Sequence, residues 1–298
     1  AAAGQIGSQA LLDAGAVYSL KELLKSTIIA SANDSAYALA EYLAGTETDF
    51  VARMNERAQE LGMTDTVYVN CTGLPVEGQH TTARDVALLS CQMCTHPEYF
   101  TYGAVWMDTL THPSGRVTDL TNTNRLVRFY DGCDGLKTGS ADDSKYCLSC
   151  TAEKNGMELI AVVLKGKTSD ERFSDAKSLL NYGFSTWSLV TVTPDEVLPP
   201  VPVTLGVRGT VQPVLTSENT LLVEKTLANG LTKEVALAES VAAPVYAGDT
   251  LGQLTVRDAA GNTVAELPIL AGEDVGHVTF VQMLGRCLAR GFCMGPQS

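Results

Sequence analysis

Apolar residues at helical spacing organise the first third of the chain. Residues 20–25 (Leu-Lys-Glu-Leu-Leu-Lys) read as a helix, with Ser19 placed as N-cap and Glu22 three residues on, the spacing of a capping box. The apolar run Thr27-Ile28-Ile29-Ala30 then leads into Ser31-Ala32-Asn33-Asp34-Ser35. A second amphipathic helix over 36–43 ends at Gly45. Ser31 and Asn33 therefore fall at a junction between two helices, where side chains can point into a cleft. Simple capping of the second helix by Ser31, Asn33 or Asp34 explains the same residues. Residues 49–61 keep helical period through Phe50, Val51, Met54, Ala58 and Leu61 and stop at Gly62. Residues 67–69 are strand-like, a loop runs to Gly78-Gln79-His80, and Thr81 opens a helix that carries Cys91.

From Phe100 to Val127 the pattern is loop and short strands. Residues 145–152 have the composition of a strand and 158–164 that of a buried one, followed by a turn over 166–172 and a helix over 173–184. Beyond Trp187 the character changes. Short Val, Thr and Leu runs at 203–207, 220–224, 250–256 and 263–268 between turns predict an all-β segment. The last piece, 277–294, is a helix candidate without acidic residues. Phe280, Met283, Leu284, Cys287, Leu288 and Phe292 share one broad side and Arg286 and Arg290 the other, the pattern of a helix lying on an anionic membrane; a C-terminal helix docked on its own protein is the alternative.

Composition narrows the possibilities. With 298 residues the chain can bury a large core and fill about two domains. A net charge of −13 without a basic stripe argues against nucleic acid as a partner. No apolar run is long enough to span a bilayer, and the first residues, Ala-Ala-Ala-Gly-Gln, do not read as a signal peptide. The eight cysteines include Cys91/Cys94 and Cys147/Cys150, two Cys-x-x-Cys pairs separated by far more than the about 15–20 residues usual between zinc-binding pairs. Cys147 and Cys150, three apart on a strand, point to opposite faces. Buried or incidental thiols are therefore the expectation, and no metal site.

Gly132-Cys-Asp-Gly-Leu-Lys-Thr-Gly139 is the chemically suggestive stretch. Lys-Thr-Gly on an edge strand offers an ammonium, a hydroxyl and an unobstructed backbone in one line, suited to a substrate lying beside the strand with its carboxylate at Lys137 and Thr138. A solvated turn between two strands accounts for the triplet taken alone. Ser174-Asp175-Ala176-Lys177 has the spacing of a serine nucleophile and its lysine base. His80, His96, His112 and His277 have no evident nucleophile or acid partner nearby.

Ser-x-Asn at Ser31/Asn33 followed by Lys-Thr-Gly at Lys137 resembles the penicillin-recognising serine enzymes. The surrounding wording, with Gly73-Leu74 to Gly78-Gln79, Ala83-Arg84-Asp85 and Asn122-Thr123-Asn124, is similar to the low-molecular-mass D-alanyl-D-alanine carboxypeptidases over essentially the whole chain. The resemblance implies an α+β fold: a penicillin-binding, β-lactamase-like transpeptidase domain over 1–187, a small β-rich domain over 188–273 and an amphipathic membrane-associating helix over 274–298. It implies Ser31 as proton relay, Asn33 holding the substrate amide and the nucleophilic lysine, and Lys137 and Thr138 on the terminal carboxylate. Gly139 would admit the substrate backbone, Ser140 would supply an oxyanion-hole N–H, and Arg172 would lie near the carboxylate site.

It further implies peptidoglycan stem peptides ending in D-Ala-D-Ala as substrate, β-lactams as inhibitors, an exported protein on the outer face of the bacterial cell membrane, and no cofactor. One departure matters. The family's nucleophilic Ser-x-x-Lys precedes Ser-x-Asn, whereas the 30 residues before Ser31 contain none and Ser174/Lys177 follows Lys-Thr-Gly. The expectation is a family member truncated at its N-terminus, lacking strands and nucleophile, inactive alone and with an exposed sheet edge. A stem-peptide-binding pseudoenzyme is the alternative. A class A β-lactamase fits less well, since no Glu-x-x-Leu-Asn follows and that enzyme has no second β domain.

Overall fold

The computed structural model describes residues 1–293 and divides into two compact units, Ala1–Ser185 and Thr186–Ser298. The helices of the first unit are α1 (Leu20–Ile29), α2 (Asn33–Ala44), α3 (Glu47–Glu60), α4 (Ala83–Cys94), α5 (Pro97–Gly103), α6 (Leu126–Phe129) and α7 (Ser169–Thr186). Its strands are the hairpin β1 (Met107–Thr111) and β2 (Val117–Thr121), and the sheet strands β3 (Cys133–Ala141), β4 (Lys145–Lys154) and β5 (Met157–Gly166). The last three form an antiparallel sheet in the order β3-β4-β5, with β3 at an edge.

Strand periodicity sorts the sheet's two faces. Leu136 opposes Cys150 and Thr138 opposes Leu148 on the face that packs α6 and α7, where Leu126, Leu148, Cys150, Ala161, Phe173, Ala176 and Leu180 form one buried cluster. Lys137 opposes Ser149 and Gly139 opposes Cys147 on the other face, where Ser149 shares a 2.7 Å hydrogen bond with Ser90 of α4. A second cluster, including Leu23, Ile29, Leu39, Leu110 and Leu120, ties α1 and α2 to the hairpin. Cys147 is half-buried and Cys150 fully buried, and the six cysteines described are free thiols.

The Ser19/Glu22 capping box is present at the start of α1. Three boundaries differ from the sequence reading. Helix α2 begins at Asn33 rather than 36, with Ala32 as N-cap and no side-chain cap, so neither Ser31, Asn33 nor Asp34 serves as that cap. Helix α7 begins at Ser169, because Thr168 Oγ1 accepts from Glu171 N while Glu171 returns a carboxylate to Thr168 N, a reciprocal box one turn before Phe173. Arg172 consequently lies in the helix, not in a turn. Helix α5 stands where the reading was loop and short strands, started by Pro97 at its first turn.

The second unit is β-rich. Thr232–Leu237, Thr250–Arg257, Thr263–Ala271 and Pro213–Leu215 make a four-stranded antiparallel sheet in that order, and Trp187–Thr191 pairs with Thr220–Glu224. Val192, Leu198, Leu254, Val256, Leu267 and Ile269 form its inner cluster. Helix Phe280–Cys293 follows, with Phe280, Val281, Leu284 and Leu288 exposed. The side chains of Arg286, Cys287, Arg290 and Phe292, on which the membrane-surface expectation also drew, lie outside the described residues, as do residues 294–298. Among the described residues no helix is long and apolar enough to cross a membrane.

Candidate active site

Ser31 sits in the three-residue break between α1 and α2 with a left-handed backbone, φ 58°. That conformation is uncommon for a residue with a Cβ, and such positions cluster at functional sites. The break is held by Ala32 N, which donates to Ser26 O at 3.3 Å, and by Asn33 N, which donates to Ser8 O at 2.8 Å. Asn33 is buried, and its amide donates to Ile6 O at 2.7 Å. Asp34, 1% exposed, accepts from Ala10 N at 2.9 Å, Leu12 N at 3.0 Å and Ser35 N at 2.9 Å. The segment from Ile6 to Leu12 is thus bound across the start of α2 by backbone groups.

Lys137 reaches this break from β3. Its ammonium donates to Ser31 Oγ at 2.6 Å and to Thr138 O at 2.7 Å. The side chain keeps solvent-exposed surface along its length, yet its charged end is crowded by protein. Loss of water around the ammonium, with a smaller push from the Arg172 guanidinium, lowers its pKa to about 8. Thr138 is 9% exposed and donates to Thr123 Oγ1 at 2.7 Å. Gly139 faces open space: a Cβ there would meet only Cys147 Cβ, at 3.9 Å, so strand packing does not demand glycine. Ser140 is exposed, opposite Tyr146.

Arg172, 7% exposed, lies against the sheet. Its Nη1 donates to Gly139 O at 3.0 Å and Cys147 O at 3.2 Å, joining β3 to β4 beside the Lys-Thr-Gly triplet. Its guanidinium stacks 4.7 Å from the Phe173 ring centroid, and its Nε is buried without a partner among the described residues. Burial lowers the Arg172 pKa, with Arg125 adding to it.

Several residues the sequence reading left without a role complete the geometry. Thr123 N donates to Ile29 O at 3.2 Å, and Asn124 Nδ2 donates to Gly135 O at 2.7 Å, so the 122–124 loop bridges the end of α1 and the start of the Lys-Thr-Gly strand. Only the wording Asn-Thr-Asn marked this loop in sequence. Asp134, just before Gly135, has a buried Oδ1 without a partner among the described residues, and burial, then Glu158 and Glu153, raises its pKa to about 6. Ser174 and Lys177 lie elsewhere, lining a cavity of about 360 Å³ with Arg125, Leu126, Phe129, Asp170 and Phe173. His112 is buried between Tyr18 Oη at 2.7 Å and Thr118 Oγ1 at 2.8 Å.

Residues 2–168 match the family model described as D-alanyl-D-alanine carboxypeptidase. The chain belongs to the D-alanyl-D-alanine carboxypeptidase family. Its members are serine-type peptidase hydrolases, and residues 190–277 match the C-terminal domain of penicillin-binding protein 5. D-alanyl-D-alanine carboxypeptidase DacF of Bacillus subtilis is 33% identical over 289 residues, covering 96% of this chain and 74% of the relative. DacC of Escherichia coli is 31% identical over 267 residues, covering 89% of this chain and 66% of the relative, just under two thirds of its length. Penicillin-binding protein 5 of Haemophilus influenzae superposes with a TM-score of 0.73 at 25% identity, covering 91% of this chain and 78% of that one. The α+β penicillin-binding fold with an all-β C-terminal domain expected from the sequence is therefore present.

Proposed function

We propose that this chain carries the substrate-recognition and proton-relay half of a penicillin-sensitive serine D-alanyl-D-alanine carboxypeptidase acting on peptidoglycan stem peptides. The observation that supports this is the 2.6 Å hydrogen bond of Lys137 Nζ to Ser31 Oγ, which brings a cation and a hydroxyl from distant segments into contact. Lys137 and Thr138 hold the terminal carboxylate of the substrate, a charge-assisted interaction in a partly desolvated setting. Gly139 leaves room for the substrate backbone along β3, and Ser140 N contributes to the oxyanion hole. Ser31, polarised by the ammonium, passes a proton toward the leaving amine. Asn33 holds the substrate amide once it exchanges its present partner, Ile6 O. Arg172 braces β3 through Gly139 O and adds positive potential behind the carboxylate site.

In this reading acyl transfer runs through a serine of a Ser-x-x-Lys pair outside this sequence. That serine loses its proton to its lysine, attacks the carbonyl between the two D-alanines and expels the terminal one; water then releases the acyl group. Ser174 and Lys177 take no part, so these 298 residues alone form no acyl-enzyme. The protein works on the outer face of the cell membrane, with its C-terminal helix against the lipid surface.

Intact mass after incubation with penicillin tests this. No stoichiometric adduct is expected on the 298-residue chain, and a one-to-one adduct on a chain extended upstream through a Ser-x-x-Lys. An adduct on the shorter chain refutes the assignment of the nucleophile. Absence from the extended chain as well would make the protein a stem-peptide binder without chemistry.

A further inference from the structure

Helix α7 carries one stripe that no other element fully covers. Asp170, Phe173, Ser174 and Lys177 share that face, at the i, i+3, i+4 and i+7 positions of the helix. Opposite it stand Arg125, Leu126 and Phe129 at α6, and the two sides enclose the cavity of about 360 Å³. Leu126 and Phe173, 1% and 6% exposed, are its buried apolar lining. Phe129 is 62% exposed, yet its ring is kept in place by the Arg128 guanidinium at 5.5 Å and by Trp106, whose ring centroid lies 6.1 Å away. A void of this size exceeds the gaps of a close-packed interior and falls at the lower end of the roughly 300–1,000 Å³ that small-molecule sites span.

The polar lining is unbalanced. Arg125 Nη1 donates to Asp170 Oδ1 at 3.1 Å, so these two charges satisfy each other at the start of α7. Lys177 lies two turns further on, about 10 Å along the helix axis. It is half-buried, and its ammonium has no ion pair or hydrogen bond among the described residues. The Ser174 hydroxyl, one turn before it, is likewise without a partner there. The cavity thus presents one uncompensated positive charge and a free hydroxyl beside aromatic and aliphatic walls. An occupant with a single negative charge at one end and a flat apolar body matches each of these features. A neutral body would leave the Lys177 ammonium unpaired as it lost water, and a bare inorganic anion would leave the Phe129 ring in solvent.

We propose that the cavity between α6 and α7 is a binding site for a small aromatic monocarboxylate, with the ring against Leu126, Phe129 and Phe173 and the carboxylate on Lys177 Nζ and Ser174 Oγ. The inference is independent of the carboxypeptidase reading of Lys137 and Thr138. Ser174 and Lys177 are neighbours on successive turns of one helix, so a single carboxylate can accept a charge-assisted bond from the ammonium and a second bond from the hydroxyl. The serine–lysine spacing of this pair thereby serves anion binding rather than acyl transfer. Both walls are already in place, with Phe173 buried and Phe129 stacked, so the ring enters at little ordering cost to the protein.

The test is an amide-detected NMR titration of the 298-residue chain with phenylacetate, with neutral phenylacetamide and with acetate. Phenylacetate should saturate with a Kd on the order of 1 mM, in keeping with about ten non-hydrogen atoms in a half-open cavity. The cross-peaks of Leu126, Phe129, Phe173, Ser174 and Lys177 should move most. Phenylacetamide should bind at least about 5-fold more weakly, and acetate should leave those peaks unmoved at the same concentrations. Lys177→Met should weaken phenylacetate about 5- to 20-fold and leave phenylacetamide within about 2-fold, whereas Phe129→Ala should weaken both alike. Lys177→Gln serves the same purpose should the methionine disturb α7, and unchanged cross-peaks of Ala176 and Leu180 report an intact helix. No saturable movement, saturation that maps to other residues, or equal binding of acid and amide overturns the site. Saturation by acetate at the same residues makes it a contact for any small anion and overturns the aromatic assignment. Undiminished phenylacetate affinity in both Lys177 variants overturns the carboxylate end of the site and the class of ligand with it.

Discussion

Asp34→Asn probes how the site's helical wall is built. The carboxylate is 1% exposed and satisfies three backbone donors: Oδ1 takes Ala10 N and Ser35 N, and Oδ2 takes Leu12 N. An asparagine of nearly identical shape keeps its oxygen on the first two. Its NH₂ then faces the Leu12 N–H, donor against donor. The lost charge-assisted bond is worth about 1.5–3 kcal/mol, and a Leu12 N–H left without an acceptor adds about 1–3 kcal/mol. Partial relaxation of the 6–12 segment trims the sum, leaving an expected cost of about 3 kcal/mol. Urea unfolding at pH 7, followed by Trp106 fluorescence in a Trp187→Phe background, reads the unit that holds Asp34, since the chain has only these two tryptophans. Hydrogen exchange should accelerate at Leu12 more than at Ser35, because only the former loses its acceptor. A variant within 0.5 kcal/mol of the parent, by the usual scatter of surface substitutions, would refute the argument that this carboxylate, rather than apolar packing, secures the segment.

Three further outcomes follow from the same geometry. Lys137 must be protonated to hold a carboxylate, so affinity for N-acetyl-D-alanyl-D-alanine should be level below neutral pH and fall as pH rises through about 8, a dependence absent in Lys137→Met. Because the unfolded lysine keeps its proton up to its ordinary value of 10.5, urea stability should rise with pH between about 8 and 10.5 and lack that gain below. Asp134 shows the opposite linkage. Its acid form is favoured in the folded state, so the stability it contributes is full below 3.8 and is lost as pH rises through about 6. Asp134→Asn should therefore stabilise at pH 7 by about 1–2 kcal/mol after allowance for partial exposure, and flatten the profile between pH 4 and 6, which urea melts across pH would show. Gly7→Ala places a Cβ 2.8 Å from Asn33 Nδ2 at φ 85°, a strained backbone for alanine, and should cost about 1–2 kcal/mol while shifting the Asn33 side-chain amide resonances.

What could be read from the sequence was local chemistry with a fixed spacing. Ser19 and Glu22 announce a helix start because both partners lie within one turn, and the change from 3.6-residue to 2-residue periodicity after Trp187 announces the β-rich unit. The reciprocal box of Thr168 and Glu171 has that same spacing, but Gly166 and Lys167 just ahead of it read as a turn, a reading that leaves Arg172 outside its helix. Ser31 and Lys137 could be paired only by resemblance, for no period links segments that far apart. Asp34 and the asparagines at 122 and 124 were opaque for a different reason. Their partners are main-chain groups of remote residues, which every sequence possesses and none displays.

Arg172 shows how that blindness affects a functional assignment. Sequence resemblance places an arginine near a carboxylate, and direct contact is the natural inference from charge alone. The structure gives its Nη1 two strand carbonyls, lays its face on Phe173 and buries the group to 7% exposure. Through Nη1 this guanidinium acts on Lys137 and β3: its charge lowers the Lys137 pKa through space, and its hydrogen bond fixes the Gly139 carbonyl. These effects pull in different directions for carboxylate binding: potential and strand order favour it, while a lysine nearer to losing its proton narrows the pH range over which it holds an anion. The contact of Lys137 with Ser31 gives that trade a chemical sense, since a lysine titrating near pH 8 can both hold an anion and share a proton with the hydroxyl 2.6 Å away.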